Sequence, residues 1–137
     1  MSLHLSESRY LDLATFRKSG VAVETPVWFA EISGRYYVFS AGDAGKVKRL
    51  RNSSRSRIAP CDMRGKVLGP WQETESVLIT DPEEIGRAHD ALRRRYGWQM
   101  ALTDFLSRLA GRLQTRAYIE ISLKGATSDT IEGSSSS

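Results

Sequence analysis

The stretch that decides the fold is Tyr36 to Asn52, which reads Y-Y-V-F-S-A-G-D-A-G-K-V-K-R-L-R-N. It opens with aromatic and β-branched residues, which favour a strand. Small residues at 40–42 interrupt that strand. A short basic helix is then predicted to begin near Gly45, with Val47 and Leu50, three residues apart, facing the core.

A strand that breaks at glycines into a helix N-terminus presents backbone N–H groups that lack an intrahelical partner. Together with the helix dipole, these donors favour an anion. Lys46 and Arg49 are three residues apart and therefore lie on one face of the first turn. A basic turn can also be a merely solvated surface, but the strand–glycine–helix context favours a site for a phosphate-bearing ligand.

The preceding segment alternates apolar and polar residues from Val21 to Phe29, so its apolar residues share one strand face. Pro26 lies inside this run and removes a donor from the ladder, which places it at a sheet edge or a bulge. Two interpretations stay open for this break: a place where a flat ring meets the backbone, or a simple edge-strand proline.

Downstream, Asp81-Pro82 is a strong helix start, because Asp81 can cap the helix and Pro82 suits its first position. Gly97 should end this helix, and a second amphipathic helix is predicted from Trp98. A last strand covers Arg116 to Leu123. The pattern predicts an α+β fold, an antiparallel β-barrel of about six strands with inserted helices. One domain is expected over 10–123, with flexible tails at 1–9 and 124–137.

Composition limits the class of protein. A chain of 137 residues with a formal charge of +4 suits one domain and an anionic partner. Between Lys46 and Lys66 there are eight Lys or Arg residues and one acid. A single cysteine, Cys61, excludes an intrachain disulfide and suits a reducing compartment. With no apolar run of membrane-spanning length and no apparent signal peptide, the expected location is the cytoplasm, away from membranes.

The sequence shows no catalytic constellation and no metal-ligand spacing. His4 and His89 are isolated, and neither is expected to act as a ligand or a base. Cys61 has basic neighbours that would lower its pKa, but a buried strand thiol is the favoured interpretation. A protein without acid–base pairs fits chemistry that a bound cofactor supplies.

These residues resemble the pyridoxamine-5′-phosphate-oxidase-like split-barrel flavoproteins, in which a strand ending F-[ST] is followed by small residues, a Lys and a Leu. The resemblance is closest to the branch that uses the deazaflavin coenzyme F420. It covers roughly Tyr10 to Leu123 and rests on the following segments of this chain: Thr25-Pro26-Val27-Trp28-Phe29, Phe39-Ser40, Gly45 to Asn52, Arg57 to Gly65, Leu68-Gly69-Pro70, Arg93 to Gly97 and Leu109 to Arg112. The pair Ser53-Ser54 replaces the usual Asn-Pro after the helix.

The resemblance implies a split β-barrel homodimer with its cofactor at the subunit interface. The phosphate would bind Lys46, Lys48, Arg49 and Asn52. The ring would lie against Thr25, Pro26, Val27 and Trp28, flanked by Ser40 and Ala41. Trp28 could instead be plain core or dimer packing. The apolar face of the Trp98 helix and the aromatic residues Tyr36, Tyr37 and Trp71 are candidates for dimer contacts.

The resulting prediction is an oxidoreductase that passes a hydride from reduced coenzyme F420 to a small, apolar or aromatic organic acceptor. The alternatives are the same fold with FMN, or a non-catalytic carrier of a flavin or tetrapyrrole. A nucleic-acid binder is disfavoured, because no known motif for it occurs and the aromatic residues do not interleave with the basic ones.

Overall fold

The structure is a computed structural model that describes residue 5 and residues 8–42, 44–109 and 116–124. The predicted tails lie mostly outside these residues, as do His4 and the segment 110–115. The described elements, in chain order, are β1 (Tyr10–Phe16), β2 (Ala22–Val27), β3 (Ala30–Ile32), β4 (Arg35–Ala41), α1 (Gly45–Asn52), β5 (Arg55–Cys61), β6 (Gln72–Ile79), α2 (Pro82–Tyr96), α3 (Trp98–Leu109) and β7 (Arg116–Leu123).

The strands form one antiparallel sheet in the order β2-β1-β5-β6-β7-β4-β3. Its two edge strands, β2 and β3, are separated in the chain only by Trp28 and Phe29. In a flat sheet the edges would be on the order of 29 Å apart, at about 4.8 Å per strand spacing. Three virtual Cα bonds of about 3.8 Å cannot bridge that distance. The sheet must therefore curl until its edges meet, which gives the split barrel.

The hydroxyl of Tyr96 satisfies the backbone at this junction. The Phe29 N–H donates to Tyr96 Oη at 3.0 Å, and the same oxygen lies 3.0 Å from the Phe29 carbonyl and 2.7 Å from the Arg9 carbonyl. Phe29 lies between β2 and β3, and a buried backbone group without a partner would be costly. The last turn of α2 thus holds the barrel closed.

The apolar residues form two clusters, one on each face of the sheet. The inner cluster includes Phe29, Val38, Leu50, Ile58 and Ile119, all buried. The outer cluster lies between the sheet and α2 and includes Ala88, Leu92, Tyr96, Met100 and Tyr118. Alternation along β7 sends Tyr118 to the outer cluster and Ile119 to the inner one, as the sequence predicts.

The predicted α+β antiparallel split barrel with inserted helices is confirmed, with seven strands instead of about six. The extra strand arises because the segment predicted as one strand over Val21 to Phe29 leaves the ladder at Trp28. It re-forms at the opposite sheet edge as β3. The basic helix begins at Gly45 and buries Val47 and Leu50, as expected. Within the described residues, no helix combines the length and the apolar character needed to cross a membrane.

Candidate cofactor site

The first turn of α1 is open to an anion. Ala44 precedes the helix in an extended conformation and provides no side-chain cap, and the first turn contains no acidic residue. Among the residues that the structure describes, no side-chain carboxylate caps the positive end of the helix. The anion site expected from the glycines that follow β4 would lie at this turn, and it stays a prediction.

Two cations on α1 converge toward the end of β1. Arg49 Nε donates to Oγ1 of the buried Thr15 at 2.7 Å. Burial, and then repulsion from Arg49, lower the pKa of the Lys46 ammonium. Burial and the neighbouring Arg17 likewise lower the pKa of the Arg49 guanidinium. No ion pair in the described part of the chain involves these three cations. The group carries positive charge that a bound anion would neutralise.

Gly45 makes room for the Arg49 side chain. A Cβ at residue 45 would lie 2.8 Å from Arg49 Nη1, closer than side chains tolerate. The guanidinium therefore lies across the bare Cα at the start of α1. This places it next to the helix N-terminus, where both would face the same anion.

A groove of about 310 Å³ lies beside the barrel junction. It is lined by Pro26, Val27, Trp28, Phe39 and Thr103. Trp28 stacks on Tyr96 with 4.6 Å between ring centroids and meets the edge of Phe39 at 6.5 Å. Flat apolar walls of this kind suit a planar ring. We call it the ring groove.

The structure brings together some of the predicted site residues. Pro26, Val27 and Trp28 share the ring groove with Phe39, whose neighbours in β4 are Val38 and Ser40. Ser40 is buried and Thr25 is half-buried. Ala41 ends β4 and pairs with Arg116 on β7.

The remaining predicted residues, Lys48 and Asn52, also belong to α1. Lys48 is exposed, so it does not join the pair formed by Lys46 and Arg49. Asn52 donates to the Lys48 carbonyl at 3.4 Å. Asn52 also lines a basic groove of about 320 Å³ with Arg49, Arg17 and Arg55. The cationic surface of α1 thus extends from Lys46 to the β1–β2 turn.

A buried carboxyl lies opposite Pro26 on the neighbouring strand. Asp12 pairs with Pro26 and is 1% exposed. Its Oδ1 has no hydrogen-bond partner within the described residues. Burial, and then repulsion from Glu24, raise the pKa of Asp12 to about 6, against a hydrogen bond from the Thr25 backbone that lowers it. This acid has no counterpart in the sequence-based prediction.

Cys61 is buried. Burial first, and then the carboxyls of Asp12 and Asp62, raise the pKa of its thiol to about 12. A thiol in this state is a poor nucleophile at neutral pH. This agrees with the favoured interpretation of Cys61 as a buried strand thiol. No group of side chains suited to a metal ion occurs in the part of the chain that the structure describes.

Sequence reasoning missed a charged network around His89, which it treated as isolated. His89 Nε2 lies 2.7 Å from Asp104 Oδ2, and Arg116 Nη1 donates to Asp104 Oδ1 at 2.8 Å. Although burial raises it, the hydrogen bonds from Arg116 and His89 hold the pKa of Asp104 below its usual range. Spacing gives no signal for this network, because its members come from α2, α3 and β7.

No family model matches the chain, and no curated protein matches its sequence. Solved structures do resemble it. The haem storage protein HutZ of Vibrio cholerae aligns with a TM-score of 0.67 and 16% identity over 90% of this chain and 92% of its own. A Listeria innocua protein provisionally assigned as a pyridoxamine 5′-phosphate oxidase aligns at 0.58, with 11% identity and coverage of 88% and 87%.

A FAD-binding protein of Mesorhizobium loti aligns with a TM-score of 0.55 and 16% identity, over 85% of this chain and 80% of its own. At these identities the likeness concerns the fold. The curled seven-stranded sheet, closed at Phe29 and covered by α2 and α3, has the split β-barrel fold of these structures.

Proposed function

We propose that this protein is an oxidoreductase that binds a phosphate-bearing deazaflavin, coenzyme F420, and transfers its hydride to a small organic acceptor. The observation that carries the proposal is the group formed by Lys46 and Arg49. These cations are partly buried at a helix N-terminus, and no ion pair of the described residues neutralises them. Leaving them so would be costly unless an anion binds there.

In this proposal, Lys46 and Arg49 bind the phosphate, and Gly45 leaves the guanidinium free to lie over the helix start. Thr15 fixes the Arg49 side chain by accepting its Nε–H at 2.7 Å. A guanidinium held in this way loses little freedom when it binds an anion. Lys48 and Asn52 extend the basic surface toward the remaining anionic part of the cofactor.

The ring groove orients the isoalloxazine-like ring. The side chains of Trp28 and Phe39 provide apolar walls, and the stack of Trp28 on Tyr96 fixes the indole plane. Pro26 has no backbone N–H and donates no hydrogen bond to the sheet. The backbone at this position can therefore contact the edge of a ring. When bound, the reduced deazaflavin supplies the hydride, and the protein supplies position and the exclusion of water.

The fold neighbours support two alternatives, FMN in the same site and a non-catalytic tetrapyrrole or flavin carrier. FMN also bears a phosphate, and HutZ is a haem storage protein. Both alternatives use the split barrel. They differ from the main proposal in the group that binds and in whether a reaction follows.

We further propose that the working unit is a homodimer that holds each cofactor at its subunit interface. The outward face of α3 consists of large apolar side chains that are between 47% and 73% exposed, namely Trp98, Leu102, Phe105, Leu106 and Leu109. Such a continuous apolar surface is unusual on a monomer. Sedimentation of the purified chain should give the mass of a dimer, and Leu109→Lys should shift it toward the monomer.

The test is an equilibrium titration of the purified protein with coenzyme F420, FMN and haem in separate experiments, followed by the fluorescence of Trp28 and the other tryptophans. Tight binding of F420 alone supports the proposal and justifies an acceptor screen. A preference for FMN or for haem would select the corresponding alternative. If none of the three binds, the enzyme proposal fails.

A further inference from the structure

A third groove, larger than the ring groove and the basic groove, lies on the outer side of the molecule, between α2, α3 and β7. Its volume is about 620 Å³, twice that of the ring groove. Its apolar lining includes Ile85 from α2, Phe105 from α3 and Tyr118 from β7. A volume of this size is within the range of small-molecule sites. We call it the helix groove.

The wall of the helix groove contains a glycine in the middle of a helix. Gly86 belongs to the second turn of α2, and a Cβ there would meet no atom of the described residues within 4 Å. A glycine in a helix interior costs about 0.5–1 kcal/mol relative to alanine. Since no atom of the described residues occupies the space above it, packing against them does not account for this glycine. The bare backbone instead leaves a flat wall against which a planar molecule fits.

The helix groove also presents polar groups, which come from His89, Asp90, Arg93 and Asp104. His89 lines it and lies one turn beyond Gly86 on α2. The Asp104 carboxylate, itself held by Arg116, accepts a hydrogen bond from His89 Nε2–H. In the neutral imidazole this leaves Nδ1 as the acceptor. No described residue forms a hydrogen bond with Nδ1.

The helix groove is separate from the ring groove. The Phe39 ring, which lines the ring groove, lies 6.2 Å from the Tyr118 ring that lines the helix groove. The Arg116 guanidinium lies 4.4 Å from the Phe39 centroid and closes the same wall. Hydride transfer requires reacting atoms about 3–3.5 Å apart. A molecule in the helix groove is therefore not the hydride acceptor.

We propose that the helix groove binds a second ligand, a small planar aromatic molecule that donates an O–H or N–H to His89 Nδ1. The ring lies against the bare backbone of Gly86 and packs on Phe105 and Tyr118. This site shares no lining residue with the ring groove. It is connected to the proposed function only through Phe105, which also belongs to the apolar face of α3.

The experiment uses 2-naphthol as a fluorescent probe and 2-methoxynaphthalene as its matched partner without a donor. Binding of each is followed by fluorescence anisotropy. The hydrogen bond to His89 should make the wild-type protein prefer 2-naphthol by roughly two- to tenfold. Gly86→Leu fills the groove and should weaken both probes at least tenfold. The control is Arg94→Leu, which introduces the same side chain at an exposed position of α2 outside the groove. This variant should bind both probes as the wild type does.

His89→Phe keeps an aromatic side chain and removes the acceptor, so it should reduce the preference for 2-naphthol to about one. The largest amide shifts caused by the probe in an NMR spectrum should occur at Gly86 and Ala101, which keeps the test valid if a variant fails to fold. Four results would overturn the proposal: no saturable binding, equal binding by the two leucine variants, a preference unchanged by His89→Phe, or shifts centred on Trp28 and Phe39.

Discussion

Asp12→Asn should abolish a pH dependence of stability that the buried carboxyl imposes on the barrel. Asp12 is 1% exposed, and its pKa is about 6 in the folded chain, compared with an ordinary value of 3.8 in the unfolded chain. Between these two values the folded state binds more protons than the unfolded state. The free energy of unfolding must therefore fall as the pH rises through this interval, and level off above it.

The size of the effect follows from the two pKa values. A difference of about two units, at 1.36 kcal/mol per unit, gives a total on the order of 3 kcal/mol. Part of that loss has already occurred at pH 4.5, because the unfolded carboxyl titrates first. Between pH 4.5 and pH 8, Asp12 should therefore lower the free energy of unfolding by about 2 kcal/mol.

The measurement is urea unfolding of the wild type and of Asp12→Asn at both pH values. From pH 4.5 to pH 8, the free energy of unfolding of the wild type should fall by about 2 kcal/mol relative to that of Asp12→Asn. Other titrating groups cancel in this comparison, because both proteins contain them. An equal change in the two proteins would contradict this prediction, as would an NMR titration that places the pKa of Asp12 near 3.8.

Two further substitutions test the α1 site and the barrel junction. Gly45→Ala places a methyl group 2.8 Å from Arg49 Nη1, so the guanidinium should move away from the helix start. Cofactor affinity should therefore fall, while the free energy of unfolding should change by less than about 1 kcal/mol. Unchanged affinity in a cofactor titration would argue against an Arg49–phosphate contact. Tyr96→Phe leaves the Phe29 N–H without its partner and should cost about 1–3 kcal/mol in urea unfolding; a cost below about 0.5 kcal/mol would show that the hydroxyl does not hold the junction.

Local chemistry explains which parts of the fold the sequence predicts. Small residues after β4 and the basic turn that follows place α1 at Gly45, and Asp81 accepts the Glu84 N–H at 3.3 Å at the start of α2. On β6, alternation buries Thr74 and Ser76, which both hydrogen-bond to the Ser56 hydroxyl. Each of these features depends on residues close together in the chain or on a strand's period of two.

The features that the sequence did not predict depend on contacts between distant residues. Tyr96 reads as one more apolar position on α2, yet its hydroxyl joins Phe29, 67 residues away. His89 and Asp104 are 15 residues apart on different helices. The pattern of α3 predicts an apolar face, but periodicity does not say whether that face meets the barrel or solvent. Met100 faces the barrel, while Phe105 is 56% exposed.

The same limit applies to the candidate site. The motif predicts that Lys46 and Arg49 share a face, and the structure places both partly buried and close enough to repel each other. The motif does not predict that Lys48 is exposed, because the exposure of each lysine depends on how deeply α1 packs against β1. The assignment of Lys48 and Asn52 to the phosphate stays a prediction.

The most direct test of the account is the affinity of Lys46→Ala for the cofactor that the titration selects, compared with Arg51→Ala. Both substitutions remove one positive charge from α1, but Lys46 is partly buried beside Arg49, whereas Arg51 is exposed. A charged hydrogen bond to the phosphate is worth about 1.5–3 kcal/mol, so Lys46→Ala should weaken binding roughly ten- to hundredfold. Arg51→Ala should weaken it only slightly. Equal affinities in two folded variants would contradict the phosphate site on α1.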